Sequence, residues 1–167
     1  DLFIELPEPL VPRRLRVEVP ERIGPDGKVE LALDEAALVA RARDLVASGV
    51  QSLAIAFLHA YANPLHERRA GELIRAEFPR LQVSLSSDVS PQIREYERTS
   101  TTVVNAYIKP LAESYLELLA AEIAKLGIKA PLFMMLSNGG LTHIAEEKRV
   151  PVQMLESGPA AGALAGA

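Results

Sequence analysis

The segment SLAIAFLHAYANPLHERRAGELIRAEFPRLQVSL, residues 52–85, contains the order strand–helix–strand and decides the fold class. Residues 52–58 are a short continuous apolar run, which is typical of a buried strand. Asn63-Pro64 supplies a helix cap followed by proline, and Pro79 is expected to end that helix. Residues 81–85 alternate and predict a second strand. The inward-facing residues of the helix are predicted to be Ala70, Leu73 and Ile74. We therefore predict an α/β fold, a mixed sheet with flanking helices.

The residues before this segment predict a hairpin and another helix. The first twelve residues, which carry three prolines, predict an extended segment. Residues 14–18 alternate between polar and apolar side chains, which is the period of a half-buried strand. The turn Gly24-Pro25-Asp26-Gly27 leads to a returning strand at residues 29–33. Asp34 is then expected to cap a helix. The inward positions of that helix are Leu38, Ala42 and Leu45.

A long helix is expected after residue 85. Ser90-Pro91 repeats the cap-and-proline pattern, and helical periodicity continues to about Leu126. Pro110 lacks an amide donor, so a kink or a break is expected there. Residues 131–136 predict another buried strand. The apolar stripe of the long helix, predicted to face the core, is Val104, Ile108, Leu111, Tyr115, Leu118, Leu119, Ile123 and Leu126.

The composition is that of an ordinary globular protein and argues against several functions. Of the 167 residues, 49% are apolar and 24% charged, the net charge is −4, and basic residues form no stripe, so no nucleic-acid partner is expected. The absence of cysteine excludes disulfides and thiolate metal sites. Apolar runs are too short to span a membrane and no signal-peptide pattern opens the chain. We expect no membrane partner and a cytoplasmic location.

Two glycine-containing segments are the candidate cofactor-binding sites. Ser137-Asn138-Gly139-Gly140 follows a predicted strand, where α/β proteins tend to bind ligands. Ser157-Gly158-Pro159-Ala160-Ala161-Gly162 is interpreted as a loop opening into a helix, with Ser157 as N-cap and free amides that favour a phosphate or carboxylate. Gly139 and Gly158 are expected to tolerate no Cβ. The alternative is that both segments are tight turns that bind nothing.

A polar cluster near the start of the long helix has two interpretations. Its hydroxyl and β-branched residues have low helix propensity, which suggests either buried hydrogen bonding or contact with a substrate. Purely structural ion-pair networks are the commoner case. The cluster consists of Arg94, Glu95, Glu97, Arg98, Ser100 and Thr101.

The sequence indicates neither a metal site nor a catalytic triad. His59, His66 and His143 do not have the spacing of metal ligands. The chain contains no Gly-x-Ser-x-Gly elbow and no Gly-x-x-x-x-Gly-Lys or Gly-x-Gly-x-x-Gly loop. A phosphate site in this chain would therefore need partners from elsewhere, and its catalytic residues remain unknown.

Four segments, in this order, resemble the A-subunit family of hydantoinases and oxoprolinases. They are LHAYANPLHE at residues 58–67, residues 94–105, and the two glycine-containing segments. The stretch REYERTSTT at residues 94–102 is the most specific, and the likeness covers nearly the whole chain. The family is also similar to subunits of acetone and acetophenone carboxylases.

The resemblance implies part of an actin/sugar-kinase/Hsp70-like ATPase fold, with ATP and Mg²⁺ between two lobes. Such proteins hold phosphates with two Asp-x-Gly-Gly-Thr-like turns, and this sequence contains neither. The chain is therefore expected to be a fragment that by itself neither binds ATP tightly nor hydrolyses it. Residues 1–130 would be the later part of the N-terminal hydantoinase/oxoprolinase lobe, and residues 131–167 the start of the following hydantoinase A lobe.

The activity that the resemblance implies is ATP-dependent hydrolysis of a small cyclic amide, a hydantoin or oxoproline ring. ATP would activate the amide oxygen, and a hydantoinase B-type subunit or domain would complete the reaction. Phosphoryl transfer needs positioning and charge neutralisation more than a protein nucleophile, so the missing triad is no objection. Two alternatives remain open: a subunit of an ATP-dependent ketone carboxylase, and a non-catalytic scaffold that binds a B-type subunit.

Overall fold

The computed structural model describes residues 8–166 and has an α/β fold. Residues 1–7 of the predicted extended segment lie outside the described part. Short 3₁₀ helices occupy Arg13–Leu15 and Pro151–Met154. The strands are β1 Arg22–Ile23, β2 Val29–Leu31, β3 Ser52–Ile55, β4 Gln82–Leu85, β5 Phe133–Met135 and β6 Leu141–His143. The helices are α1 Glu35–Ala47, α2 Leu65–Glu77, α3 Ser86–Val89, α4 Glu95–Lys125, α5 Ile144–Glu147 and α6 Ser157–Ala165.

Within residues 8–166 the strands form three separate two-stranded sheets. β3 and β4 are parallel, whereas β1–β2 and β5–β6 are antiparallel hairpins. Both kinds of pairing therefore occur, but not in one mixed sheet as predicted. No helix in this part of the chain combines the length and the apolar character needed to cross a membrane.

The predicted strand at residues 14–18 is wrong. Arg13–Leu15 form a 3₁₀ turn, and the Arg16 guanidinium donates to the Val11 carbonyl from Nε at 2.9 Å and Nη2 at 2.7 Å. These local bonds turn the chain where alternation suggested extension. The predicted returning strand does form, as β2, but its partner is β1.

The predicted strand–helix–strand unit is confirmed and forms the main core. Asp34 caps α1 by accepting from the Ala37 amide at 2.9 Å. α1 and α2 cover one face of the β3–β4 sheet, where Val83 and Leu85 join the apolar cluster, and α4 covers the other face, toward which Ser84 points. The buried members of the core cluster are Leu38, Ala42, Ile55, Ala70, Ile74, Leu81, Val83 and Leu85.

α4 begins later than predicted and runs through Pro110 without a break. Ser90 does not cap it, because Ser90 ends α3, where its amide donates to Ser86 O and its hydroxyl accepts from Gln92 Nε2 at 2.8 Å. Glu95 is the first helical residue, and Arg94 occupies the N-cap position.

The apolar stripe predicted for α4 is not the buried face: four of its eight residues are half-buried and the other four are exposed. Leu111 is 78% exposed and Leu126 is 77% exposed. The buried face consists instead of Arg98, Thr102, Asn105, Ala106, Ala112 and Leu116. Arg98 and Asn105 bond to neighbouring segments and Thr102 donates to Arg98 O within the helix, which offsets most of the desolvation penalty, although Arg98 Nε has no partner among residues 8–166.

Two buried side chains of opposite charge hold the Phe57 peptide from both sides. Glu67 on α2 is fully buried, and its Oε1 accepts from the Phe57 amide at 2.8 Å. Arg98 on α4 is 1% exposed, and its Nη2 donates to the Phe57 carbonyl at 2.7 Å. Glu67 also accepts from Ser86 Oγ at 2.6 Å and from the Ser87 amide at 2.8 Å. We call Glu67, Arg98 and the Phe57 peptide the Phe57 clamp.

The Phe57 clamp fixes the carboxyl ends of both parallel strands. Phe57 lies two residues after β3, and Ser86 directly follows β4. Because one carboxylate accepts from both connections, it aligns the edge of the sheet where α/β proteins tend to bind ligands.

Glu67→Gln is expected to lower the free energy of unfolding by about 1–3 kcal/mol, because an amide cannot accept from all three donors and leaves one of them unsatisfied. Glu72→Gln on the same helix is the control, since the Glu72 side chain is 67% exposed. That change is expected to stay within about 0.5 kcal/mol. Equal effects of the two variants in urea unfolding would contradict the role given to the Phe57 clamp.

Candidate functional site

The first candidate segment, residues 137–140, is the turn of the β5–β6 hairpin. Asn138 Oδ1 accepts from the Gly140 amide at 2.8 Å, and the Gly139 amide donates to Leu136 O at 2.9 Å. Gly139 has a φ of +83°, which favours glycine. The strand before the turn is half-exposed rather than buried as predicted, with Phe133 57% exposed.

Ser137 attaches this turn to the residues that precede α6. Its amide and its hydroxyl both donate to Gln153 O, at 2.7 Å and 2.6 Å, and the hydroxyl also contacts Leu155 O. The Ser137 side chain is thus engaged by the protein itself. It positions the hairpin turn relative to the second segment.

The second candidate segment, residues 157–162, forms the first turns of α6. The N-cap position belongs to Glu156, which has a left-handed backbone with φ +66°, so the predicted cap by Ser157 is wrong. Ala160 makes the first helical bond, to Glu156 O at 3.3 Å, and Pro159 has no amide hydrogen. Within residues 8–166, the amides of Ser157 and Gly158 find no acceptor.

The two segments lie side by side. A Cβ on Gly139 would come within 2.9 Å of Leu164 Cδ1 on α6, so the turn packs directly against the helix. The φ of +83° disfavours a Cβ on Gly139 more than this contact does, because the end of the exposed Leu164 side chain can move aside. A Cβ on Gly158 would meet no described atom within 4 Å, so the expectation that this position tolerates no side chain depends on a ligand and stays a prediction. Gly162 is equally open.

The polar cluster at the start of α4 divides into one buried residue and a set of surface residues. Arg98 belongs to the Phe57 clamp and lies 5.7 Å from the centre of the Tyr61 ring. Arg94 is 3.7 Å from Glu97, and both side chains are largely exposed. The remaining members are Glu95, which is half-buried, Ser100, which is exposed, and Thr101, which donates to Glu97 O at 2.8 Å. Contact with a substrate stays a prediction for this cluster.

Sequence reasoning missed Asn105, which links α4 to the 3₁₀ turn that precedes the second segment. Its Nδ2 donates to Ser84 Oγ at 3.0 Å, and its Oδ1 accepts from the Val152 amide at 3.1 Å. The spacing is a usable signal, because Arg98, Thr102 and Asn105 follow each other at helical spacing and so share one face of α4.

A second missed residue is Glu147 at the end of α5. It is 1% exposed, and neither carboxylate oxygen has a hydrogen-bond partner among residues 8–166. Burial raises the pKa of this carboxyl above its ordinary value. Nothing in the sequence around Glu147 signals that it is buried.

The three histidines have separate local roles. His66 Nδ1 lies 2.8 Å from Glu21 Oε2 in a buried pair. His59, which has a φ of +55°, contacts the edge of Tyr61, and His143 Nδ1 accepts from the Ala145 amide.

Comparison with known proteins identifies relatives for nearly the whole chain. The caprolactamase subunit alpha of Pseudomonas jessenii is 43% identical over 157 residues, which are 94% of this chain and 23% of that protein. The crystal structure of the ATP-dependent caprolactamase from that organism matches 99% of the chain with a TM-score of 0.89 and 41% identity, over 24% of its own length. The 5-oxoprolinase of Saccharomyces cerevisiae is 38% identical over 78% of this chain and 10% of its own length.

A nucleotide-free structure of acetone carboxylase matches 97% of the chain with a TM-score of 0.85 and 29% identity, over 23% of its own length. The fold is therefore an α/β module shared with solved ATP-dependent enzymes. The family model of the hydantoinase/oxoprolinase N-terminal region matches residues 1–78, and that of hydantoinase/oxoprolinase matches residues 98–167. The chain belongs to the hydantoinase/oxoprolinase family. It spans about a quarter of the length of the caprolactamase and acetone carboxylase chains.

Gly139→Ala is expected to loosen the hairpin, because a left-handed backbone costs a residue with a Cβ about 1–2 kcal/mol and the new atom also presses on Leu164. Gly158→Ala is the matched control, since its Cβ meets open space. Hydrogen exchange at the Leu136 amide should accelerate in the first variant and stay unchanged in the second. Identical exchange in both variants would refute the packing of turn against helix.

Proposed function

We propose that the chain is part of the ATP-dependent subunit of a cytoplasmic enzyme that hydrolyses a small cyclic amide. Membership of the hydantoinase/oxoprolinase family and the likeness to caprolactamase and 5-oxoprolinase support this substrate class. The observation that carries the proposal is the junction of the hairpin turn and α6, where the Ser157 and Gly158 amides have no acceptor among residues 8–166 and two glycines leave open space.

This junction fits a phosphate group of ATP. Free amides at a helix start favour an anion, and the open faces of Gly158 and Gly162 leave room for its approach. Glu156 places a negative charge directly before the helix, so a triphosphate at this position needs a counter-cation. Mg²⁺ is the expected cation, in keeping with the usual chemistry of phosphoryl transfer.

The chemistry divides between the nucleotide and the protein. ATP would supply the phosphoryl group that converts the poorly reactive amide oxygen into a leaving group. In this chain, the amides of Ser157 and Gly158 would hold phosphate, Ser137 and Gly139 would position the turn beside them, and the Phe57 clamp would keep the sheet edge in register. A hydantoinase B-type subunit or domain would complete the hydrolysis. The surrounding protein would provide the actin/sugar-kinase/Hsp70-like fold.

The second candidate is a subunit of an ATP-dependent ketone carboxylase. The fold match to acetone carboxylase favours it, with a TM-score of 0.85. Both candidates use the same nucleotide site and differ in the molecule that is activated. A non-catalytic scaffold is the third possibility, and it predicts no nucleotide turnover at all.

The full-length protein with its partner subunit is expected to hydrolyse ATP in a Mg²⁺-dependent way when a lactam, hydantoin or oxoproline is present. Phosphate release would be measured with each cyclic amide and, in parallel, with acetone and acetophenone plus bicarbonate. If only the ketones stimulate ATP hydrolysis, the protein is a ketone carboxylase subunit and the proposal is wrong. If no substrate gives ATP turnover, the non-catalytic scaffold is the function that remains.

Gly158→Val in the full-length protein is expected to lower kcat/KM for ATP at least about tenfold, or about 1.4 kcal/mol, because the side chain fills the space left for phosphate. The melting temperature should hardly change, since a Cβ at Gly158 meets no described atom within 4 Å. Ala163→Val, at an exposed position of the same helix, serves as the control for a bulky side chain on α6. Normal nucleotide affinity and turnover in Gly158→Val would remove α6 from the site.

A further inference from the structure

A polar pocket of about 410 Å³ lies between β4, α3, α4 and the residues after α5. Its charged lining residues are Arg75, Asp88, Lys109 and Arg149. None of these belongs to residues 137–140 or 157–162, so the pocket is separate from the proposed nucleotide site. Its volume lies in the range of small-molecule sites.

Within the described part of the chain, two of the three cations in this pocket lack an ion-pair partner. Arg149 forms ion pairs with Glu146, at 2.8 Å, and with Asp88, at 3.6 Å. Asp88 is the one carboxylate that lines the pocket, and it is therefore already paired. Among residues 8–166, neither Arg75 nor Lys109 has a carboxylate within 4 Å. The pocket therefore carries an excess of two positive charges.

Lys109 is held in this pocket at an electrostatic cost. Its Nζ donates to Val83 O at 3.2 Å. Burial lowers the pKa of its ammonium group below the ordinary value, and the guanidinium groups of Arg75 and Arg149 lower it further. Glu113 and Asp88 oppose this shift, but the Glu113 carboxylate is bound to Gln82 Nε2 at 2.6 Å and does not line the pocket.

A buried hydroxyl adds an uncharged donor to the same pocket. Ser84 is 3% exposed, and its Oγ accepts from Asn105 Nδ2 at 3.0 Å. Its own hydrogen has no acceptor among the described residues and is free for a ligand. An ammonium, a guanidinium and a hydroxyl thus converge as donors with few protein acceptors, which is the pattern of an oxyanion site.

We propose that this pocket binds a small dianionic oxyanion, a phosphate group or a dicarboxylate, between Lys109, Arg75 and Ser84. Two negative charges match the two unpaired cations, and the anion oxygens accept the hydrogen of Ser84. Bound anion also removes the repulsion among the three cations, so binding stabilises the folded protein.

The test uses the full-length protein and follows its thermal unfolding midpoint during titration with inorganic phosphate or succinate at constant ionic strength. The wild-type midpoint is expected to rise with at least one of the two, because a ligand of the folded state stabilises it by mass action. The two titrations distinguish a phosphate from a dicarboxylate site. A midpoint that responds to neither anion overturns the proposal.

Three variants test whether the anion binds in this pocket. Lys109→Met is expected to weaken anion affinity at least about tenfold, equivalent to 1.4 kcal/mol, and Arg75→Gln to weaken it as well. Lys125→Met is the matched control, because it removes the same charge from the same helix at an exposed residue paired with Glu122. Arg75→Gln keeps the test valid if Lys109→Met fails to fold, since the exposed side chain of Arg75 makes no hydrogen bond or ion pair among residues 8–166. Equal loss in the Lys125→Met control, or no loss in Lys109→Met and Arg75→Gln, overturns the proposal.

Discussion

The structure depends on one peptide group, that of Phe57, whose amide and carbonyl are each held by a buried charged side chain. Glu67 and Arg98 come from helices on opposite faces of the β3–β4 sheet, so their bonds to Phe57 tie both layers to the end of β3. A buried charge without partners costs several kcal/mol, and here the peptide dipole supplies a partner to each. Removing Glu67 leaves the Phe57 and Ser87 amides without their carboxylate acceptor, and removing Arg98 takes the guanidinium donor from the Phe57 carbonyl.

The same constraint explains why α4 turns its polar face inward. With Arg98 fixed at Phe57, helical spacing places Thr102 and Asn105 against the sheet, and Leu111 is left 78% exposed. Asn105 in turn bonds to Ser84 and to the Val152 amide, and these bonds connect the central sheet to the segment before α6. The position of the candidate nucleotide junction is thus set by a polar helix face.

How far the sequence predicts this molecule depends on how local the determining interaction is. Asp34 and Asn63 act on amides within three residues, so α1 and α2 were predicted closely. The position of Phe57 between Glu67 and Arg98 depends on residues 10 and 41 positions away, which no local pattern encodes. The strand predicted at residues 14–18 failed for a different reason. Its alternation was real, but β2 pairs with β1 instead.

The candidate site shows the same division between local and distant causes. Gly139 could be predicted, because Asn138-Gly139 is turn chemistry that requires a positive φ. The open space around Gly158 could not be predicted, because it follows from the way α6 lies on the hairpin. An open glycine at a helix start contributes nothing to packing, and alanine there would have the higher helix propensity. Such a residue makes physical sense where another molecule needs the space, and this is why the junction of turn and helix carries the proposed function.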